Sequence, residues 1–123
     1  MTTDQTVVMI GIQALAVGLG FYGLVLLLRK ARNPTIIAFH VLAGLGAIET
    51  LFGFLRMSEL AADSPVRALG ITAAKWLGAA VVTGALTPFV GKGRPLLANT
   101  LLLVHIGSAL AGFIMTVLFA RQA

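Results

Sequence analysis

The chain has two histidines, His40 and His105, and each stands inside an apolar run: TIIAFHVLAGLGAIETLFGFL around the first, LLANTLLLVHIGSALAGFIMTVLFA around the second. Imidazole has two ring nitrogens, one of which can ligate a metal while the other donates a hydrogen bond. Such a group is costly in hydrocarbon, so an ionisable residue inside a membrane span is a functional candidate by default. Three chemistries suit the pair. The two imidazoles can be the axial ligands of one haem, each neutral and coordinating through one nitrogen. Each can instead bond a backbone carbonyl or hydroxyl of a neighbouring helix, with the nearby small residues serving as packing seams. They can also hold some other ligand. Zinc and copper suit them less, because a chain without cysteine and with no carboxylate near the histidines leaves the coordination incomplete.

The spacing around the histidines repeats. Arg56 stands 16 residues after His40 and Arg121 16 after His105, so with the arginines at one membrane boundary both imidazoles lie about 24 Å below it, at about 1.5 Å per helical residue. Counted from Pro34 and Pro95 the two differ by about one turn, roughly 6 Å, so the level placement requires the last helix to begin deeper in the headgroups. Small residues follow three, four and seven positions on, along the same helical face: Ala43, Gly44 and Ala47 after His40, and Ser108, Ala109 and Gly112 after His105. Counting about six residues back from the basic ends of the first and third runs gives Gly23 and Gly84 at the same depth. A flat macrocycle of haem b would fit a space left by Gly44, Ala47, Ala109, Gly112, Gly23 and Gly84, with Ser108 beside it. Its propionates would then face the basic loops that carry Arg32 and Arg94. Ser108 has a commoner use as well, the bonding of its hydroxyl to a helix carbonyl.

Glu49 and Lys75 form a second constellation. Each is about 15 residues from the basic end of its run, so the two can meet at one level as an antiparallel intramembrane charge pair. Glu49 is nine residues from His40 and Lys75 nine from Gly84, and nine steps of 100° turn a helix to its opposite face. If His40 and Gly84 face a pocket, these charges face away from it, into a helix groove or toward another subunit. Trp76 beside them suits packing, an interfacial belt or stacking on a quinone. Glu49 is also a candidate proton relay.

The elements that position these residues follow from composition. A chain of 123 residues that is 59% hydrophobic and 11% charged, with mean hydropathy +1.00, lies far outside the range of soluble domains. Its apolar residues fall into four runs, at 7–28, 35–55, 65–88 and 96–120, each able to cross about 30 Å of hydrocarbon as a helix. Asp63 or Ser64 can cap the third run, with Pro65 at its first position, and Pro88 should bend or end it. The first run is too long for a signal peptide and follows acidic Asp4, so all four helices are expected to remain in the mature protein. Five of the nine cationic residues (Arg29, Lys30, Arg32, Lys92 and Arg94) lie in two short loops without an acid. The positive-inside rule puts those loops in the cytoplasm and both termini outside, in a bacterial inner membrane. A pI near 10.9 then reflects lipid headgroups, with no nucleic-acid signal. The absence of cysteine removes disulfides, thiolate metal sites and covalent haem attachment.

These readings combine into an all-α fold, a single transmembrane domain over 1–123 built as an up-down four-helix bundle. The matched HVLAGLGAIETLFGFLR and HIGSALAGFIMTVLFAR, with KARNP and KGRP before them, read as two tandem hairpins in the same orientation. In an up-down bundle the second and fourth helices are diagonal, which sets His40 against His105. On these two histidines and their small neighbours the chain resembles the small four-helix b-type cytochromes of membranes, such as the cytochrome b561 class and the haem-bearing anchors of succinate dehydrogenase. It departs from the former in having one histidine pair, which permits one haem. The resemblance implies electron exchange with a quinone or a partner redox subunit. The alternatives are a non-catalytic integral subunit of a larger complex and a small transporter with Glu49 and Lys75 as its ion site. Outward-facing charges on so small a bundle point to a homo-oligomer or a larger assembly.

Overall fold

A computed structural model describes residues 2–123. They form four α-helices, α1 (Thr3–Leu28), α2 (Pro34–Met57), α3 (Pro65–Val90) and α4 (Pro95–Gln122). Each is long and apolar enough to cross a membrane. At about 1.5 Å per residue the 24 to 28 residues of each helix exceed the roughly 30 Å hydrocarbon layer, so the ends reach the headgroups. The chain therefore has the all-helical architecture of an integral membrane protein.

The helix ends explain where the observed bounds differ from the apolar runs. α1 starts at Thr3, four residues before its apolar run, because Thr2 and Gln5 close a capping box. Thr2 Oγ1 accepts from the Gln5 amide at 3.3 Å, and Gln5 Oε1 accepts from the Thr2 amide at 3.0 Å. α2 begins at Pro34 behind Asn33, whose Oδ1 accepts from the amides of Thr35 and Ile36 at 3.1 and 3.3 Å. Ser64 occupies the N-cap of α3 without a side-chain cap bond, so Pro65 and the Ser64 carbonyl, which accepts from Ala68, start that helix. The expectation that Pro88 bends or ends α3 is corrected on one point: the helix continues two residues further, to Val90. A proline so near the C-terminus removes only one helical bond, the one to the Gly84 carbonyl.

The described residues form two compact units that divide between Met57 and Ser58. Each is an antiparallel helical hairpin. In the first, His40 of α2 reaches Ala16 and Gly20 of α1, and Gly46 further along α2 lies against Ile12. In the second, Ala98 of α4 lies against Gly91, the C-cap of α3, and α4 then meets α3 at His105 with Gly84 and Ala80 and at Gly112 with Leu77. The buried faces are stripes at helical spacing: Met9, Gln13 and Ala16 on α1; Ala47, Leu51 and Leu55 on α2; Ala73 and Ala80 on α3; and Ser108, Gly112, Thr116 and Phe119 on α4. Lipid tails are as apolar as these side chains, so close van der Waals packing is what holds the helices together, and small residues permit it. Helical threonines return their hydroxyls to the backbone four residues back, as at Thr50 to Gly46, Thr83 to Ala79 and Thr116 to Gly112. That leaves no bare hydroxyl at these positions in hydrocarbon.

Two loop residues adopt left-handed backbone. Gly93, at φ 75°, turns the chain from α3 to α4 without strain. Lys30, at φ 54°, closes α1, its amide bonding the Leu27 carbonyl while the next amide, of Ala31, bonds that of Leu26. Glycine commonly fills that place, and here a lysine fills it within the basic RKAR segment.

Candidate functional site: two histidines seated on glycines

Both histidines are half-buried on the second helix of their hairpin, and both are held in the same way. His40 Nδ1 lies 2.9 Å from the Ala16 carbonyl oxygen, and His105 Nδ1 lies 2.7 Å from that of Ala80. A carbonyl only accepts, so Nδ1 carries the proton and donates in each bond. Nε2 is then the nitrogen that bears the electron pair.

The seat beneath each ring is a glycine one turn beyond that carbonyl. A Cβ on Gly20 would stand 2.8 Å from His40 Cε1, and one on Gly84 would stand 2.8 Å from both Cε1 and Nδ1 of His105. Both distances are well inside van der Waals contact, so a hydrogen at these two positions is what lets the imidazole reach the carbonyl. The sequence explains the geometry: a carbonyl and a glycine four residues apart lie on one helical face, and the facing helix brings its histidine onto both. The arrangement occurs once in each hairpin.

Of the residues marked from sequence, the structure brings Gly84 to His105 within the second hairpin. There the missing side chain of Gly84 makes room for the imidazole itself. Gly112 is likewise occupied by protein, since a Cβ on it would stand 2.6 Å from Leu77 Cδ2. Gly23 and Gly44 have open space where a Cβ would be. Ala47 and Ser108 are buried and Ala109 half-buried, each on its own hairpin. Arg32 is exposed in the loop between α1 and α2, and Arg94 is exposed at the N-cap of α4. Glu49 and Lys75 are exposed on α2 and α3.

Gly20 is the residue that depth counting from the basic loop passes over, landing on Gly23 instead. The signal for it is nonetheless present: Ala16-Val17 precedes Gly20 as Ala80-Val81 precedes Gly84, so α1 aligns with α3 on Ala-Val-x-x-Gly. The same alignment sets Gln13 against Leu77, and Gln13 is the other feature that apolar patterning does not reveal. It is 2% exposed, and neither the nitrogen nor the oxygen of its side-chain amide has a hydrogen-bond partner among the described residues.

Each histidine, taken within its own hairpin, has the bonding of a metal-ligating imidazole. A ligating histidine almost always donates its second ring N–H to a carbonyl or carboxylate, which fixes the tautomer and ring orientation and raises the basicity of the ligating nitrogen. Both His40 and His105 meet that condition through backbone carbonyls. No protein family, curated protein or solved structure matches the chain.

Proposed function

We propose that the protein is a membrane b-type cytochrome that binds one haem b through His40 and His105 and exchanges electrons with a quinone or a partner redox subunit. The observation that carries this reading is the matched pair of Nδ1–H to carbonyl bonds, one in each hairpin, on the only two histidines of the chain. A bound haem supplies one-electron transfer between ferric and ferrous iron. The chain's own part is to present two neutral imidazoles of fixed tautomer. The Ala16 and Ala80 carbonyls hold them, and Gly20 and Gly84 give them room. Arg32 and Arg94, in the basic loops before α2 and α4, supply positive charge for the propionates. Gly23, Gly44, Ala47, Ser108 and Ala109 are the small residues that line the cofactor in this reading, while the spaces at Gly84 and Gly112 are taken by the His105 ring and Leu77. The proposed setting is a bacterial inner membrane, with the basic loops in the cytoplasm and both termini outside, supported by the distribution of cations.

Absorption spectroscopy tests the reading. Protein purified after expression with adequate haem should show a Soret band and a low-spin reduced spectrum. His40→Ala and His105→Ala should each abolish the low-spin spectrum. Colourless protein refutes the cofactor, and unchanged spectra in both variants refute the ligands. The same two bonds can also serve only to lock each hairpin, in a non-catalytic integral subunit. That second reading expects colourless protein that co-purifies with partners.

A further inference from the structure

The first hairpin turns from α1 to α2 through Arg29, Lys30, Ala31, Arg32 and Asn33, all exposed. Three of these five residues are cations, and every acid of the chain is far from them. Asp4 is in the first turn of α1, at the other end of a 26-residue helix. Glu49 stands 15 residues along α2 from Pro34, and Glu59 and Asp63 follow the far end of that helix at Met57. Because both helices are longer than the hydrocarbon is thick, the turn lies among the headgroups. Its backbone is fixed: Lys30 is left-handed at φ 54°, and its amide and that of Ala31 close on the Leu27 and Leu26 carbonyls. Glycine adopts that conformation without strain, yet here a charged side chain occupies it. Directly below the turn, α2 carries a shallow groove of about 330 Å³ lined by Pro34, Thr35, Ala38, Phe39 and Leu42. Ala38 is the small residue among them, next to Phe39 and one turn from Leu42, which are 55% and 65% exposed. From Pro34 to Leu42 the groove runs about 12 Å along the helix at about 1.5 Å per residue, from the headgroups into the acyl-chain layer.

We propose that this turn and groove bind one anionic phospholipid, its phosphate at Arg29 and Lys30 and an acyl chain along Ala38, Phe39 and Leu42. A guanidinium offers paired N–H groups to phosphate oxygens, and an ammonium adds a compact point charge. A zwitterionic lipid brings a cation of its own beside the phosphate, which a turn with three cations and no acid disfavours. A soluble anion would answer the charges and leave the apolar groove bare, whereas an anionic lipid answers both at once. Basic segments beside a span attract anionic lipid in general, and the groove is what turns that field into a site. Arg32, assigned above to a propionate, adds to the field without being required. The site lies wholly within the first hairpin, so the inference does not rest on haem binding.

The test titrates delipidated protein in detergent with phosphatidylglycerol or with phosphatidylcholine of the same acyl chains, and counts bound lipid by native mass spectrometry. Wild type should take up its first phosphatidylglycerol roughly tenfold or more tightly than phosphatidylcholine. Each cation near a membrane surface is worth about fivefold in affinity, so Lys30→Gln should weaken phosphatidylglycerol binding about fivefold, and Arg29→Gln with Lys30→Gln about 25-fold. Lys92→Gln removes the same charge from the other basic loop and should leave the first binding event unchanged. Ala38→Phe keeps every cation and fills the groove, and it should also weaken phosphatidylglycerol binding. All these positions are exposed, so the variants should keep the helical content of the wild type by circular dichroism. Equal affinity for the two lipids would overturn the proposal. So would a loss with Lys92→Gln as large as that with Lys30→Gln, or unchanged binding in Ala38→Phe, since either leaves only a diffuse attraction of charge.

Discussion

The glycine seat of His105 gives the sharpest energetic prediction. Gly84→Ala places a methyl 2.8 Å from two ring atoms that are held by a 2.7 Å hydrogen bond to the Ala80 carbonyl. The ring cannot yield without lengthening that bond. Overpacking costs about 1–3 kcal/mol, and loss of a hydrogen bond about 0.5–1.5 kcal/mol. Replacing glycine by alanine inside a helix returns about 1 kcal/mol. The net expectation is a destabilisation of roughly 0.5–3.5 kcal/mol, taken as the sum of these terms. Gly20→Ala should cost less, because its methyl would crowd Cε1 at 2.8 Å while Nδ1 stands back at 3.3 Å. Gly23→Ala is the internal control: nothing lies within 4 Å of its added methyl, so helix propensity alone should leave the protein equal or slightly more stable. The assay is reversible unfolding in mixed micelles at increasing SDS fraction, followed by circular dichroism. If Gly84→Ala unfolds at the same SDS fraction as Gly23→Ala, the seat does not carry the ring and the reasoning fails.

Other substitutions probe different parts of the molecule. Gln13→Leu, which places at the α1 position the residue that α3 has at Leu77, should stabilise the protein by about 1–3 kcal/mol by removing a buried amide without partners; lower resistance to SDS would show that the amide has a partner beyond the chain. Lys30→Gly should relieve left-handed backbone and raise stability by up to about 1 kcal/mol. A fall in midpoint there would mean that the lysine charge outweighs its strain. The spectra of His40→Ala and His105→Ala complete the set.

The fold was legible because each span is a continuous apolar run between punctuating residues, and prolines 34, 65 and 95 stand at the first position of α2, α3 and α4. The start of α1 was not, because a capping box at Thr2 and Gln5 adds a polar first turn to which hydropathy is blind. The histidines announced themselves as polar groups in apolar runs, and their bonds to backbone carbonyls were among the open readings. What remained hidden was the side of the ring on which the small residues act. Gly84 stood out by depth, but depth cannot say whether a missing side chain admits a ligand or a neighbour's imidazole. Gly20 needed α1 to be aligned with α3 rather than counted from its end. Gln13 looks like a helix residue of ordinary polarity, and only its enclosure makes it unusual.

The bonds that fix the histidines have a consequence for synthesis. His40 is tied to Ala16 and His105 to Ala80, so each tie closes inside a hairpin. Chains emerge from the ribosome N-terminus first at about 5–20 residues per second, and early units can settle before later ones exist. The α1–α2 hairpin can therefore set the tautomer and tilt of its imidazole before α4 is complete. Assembly then needs no search by α4 for the partner of His40, because each histidine finds its carbonyl on the helix made just before it.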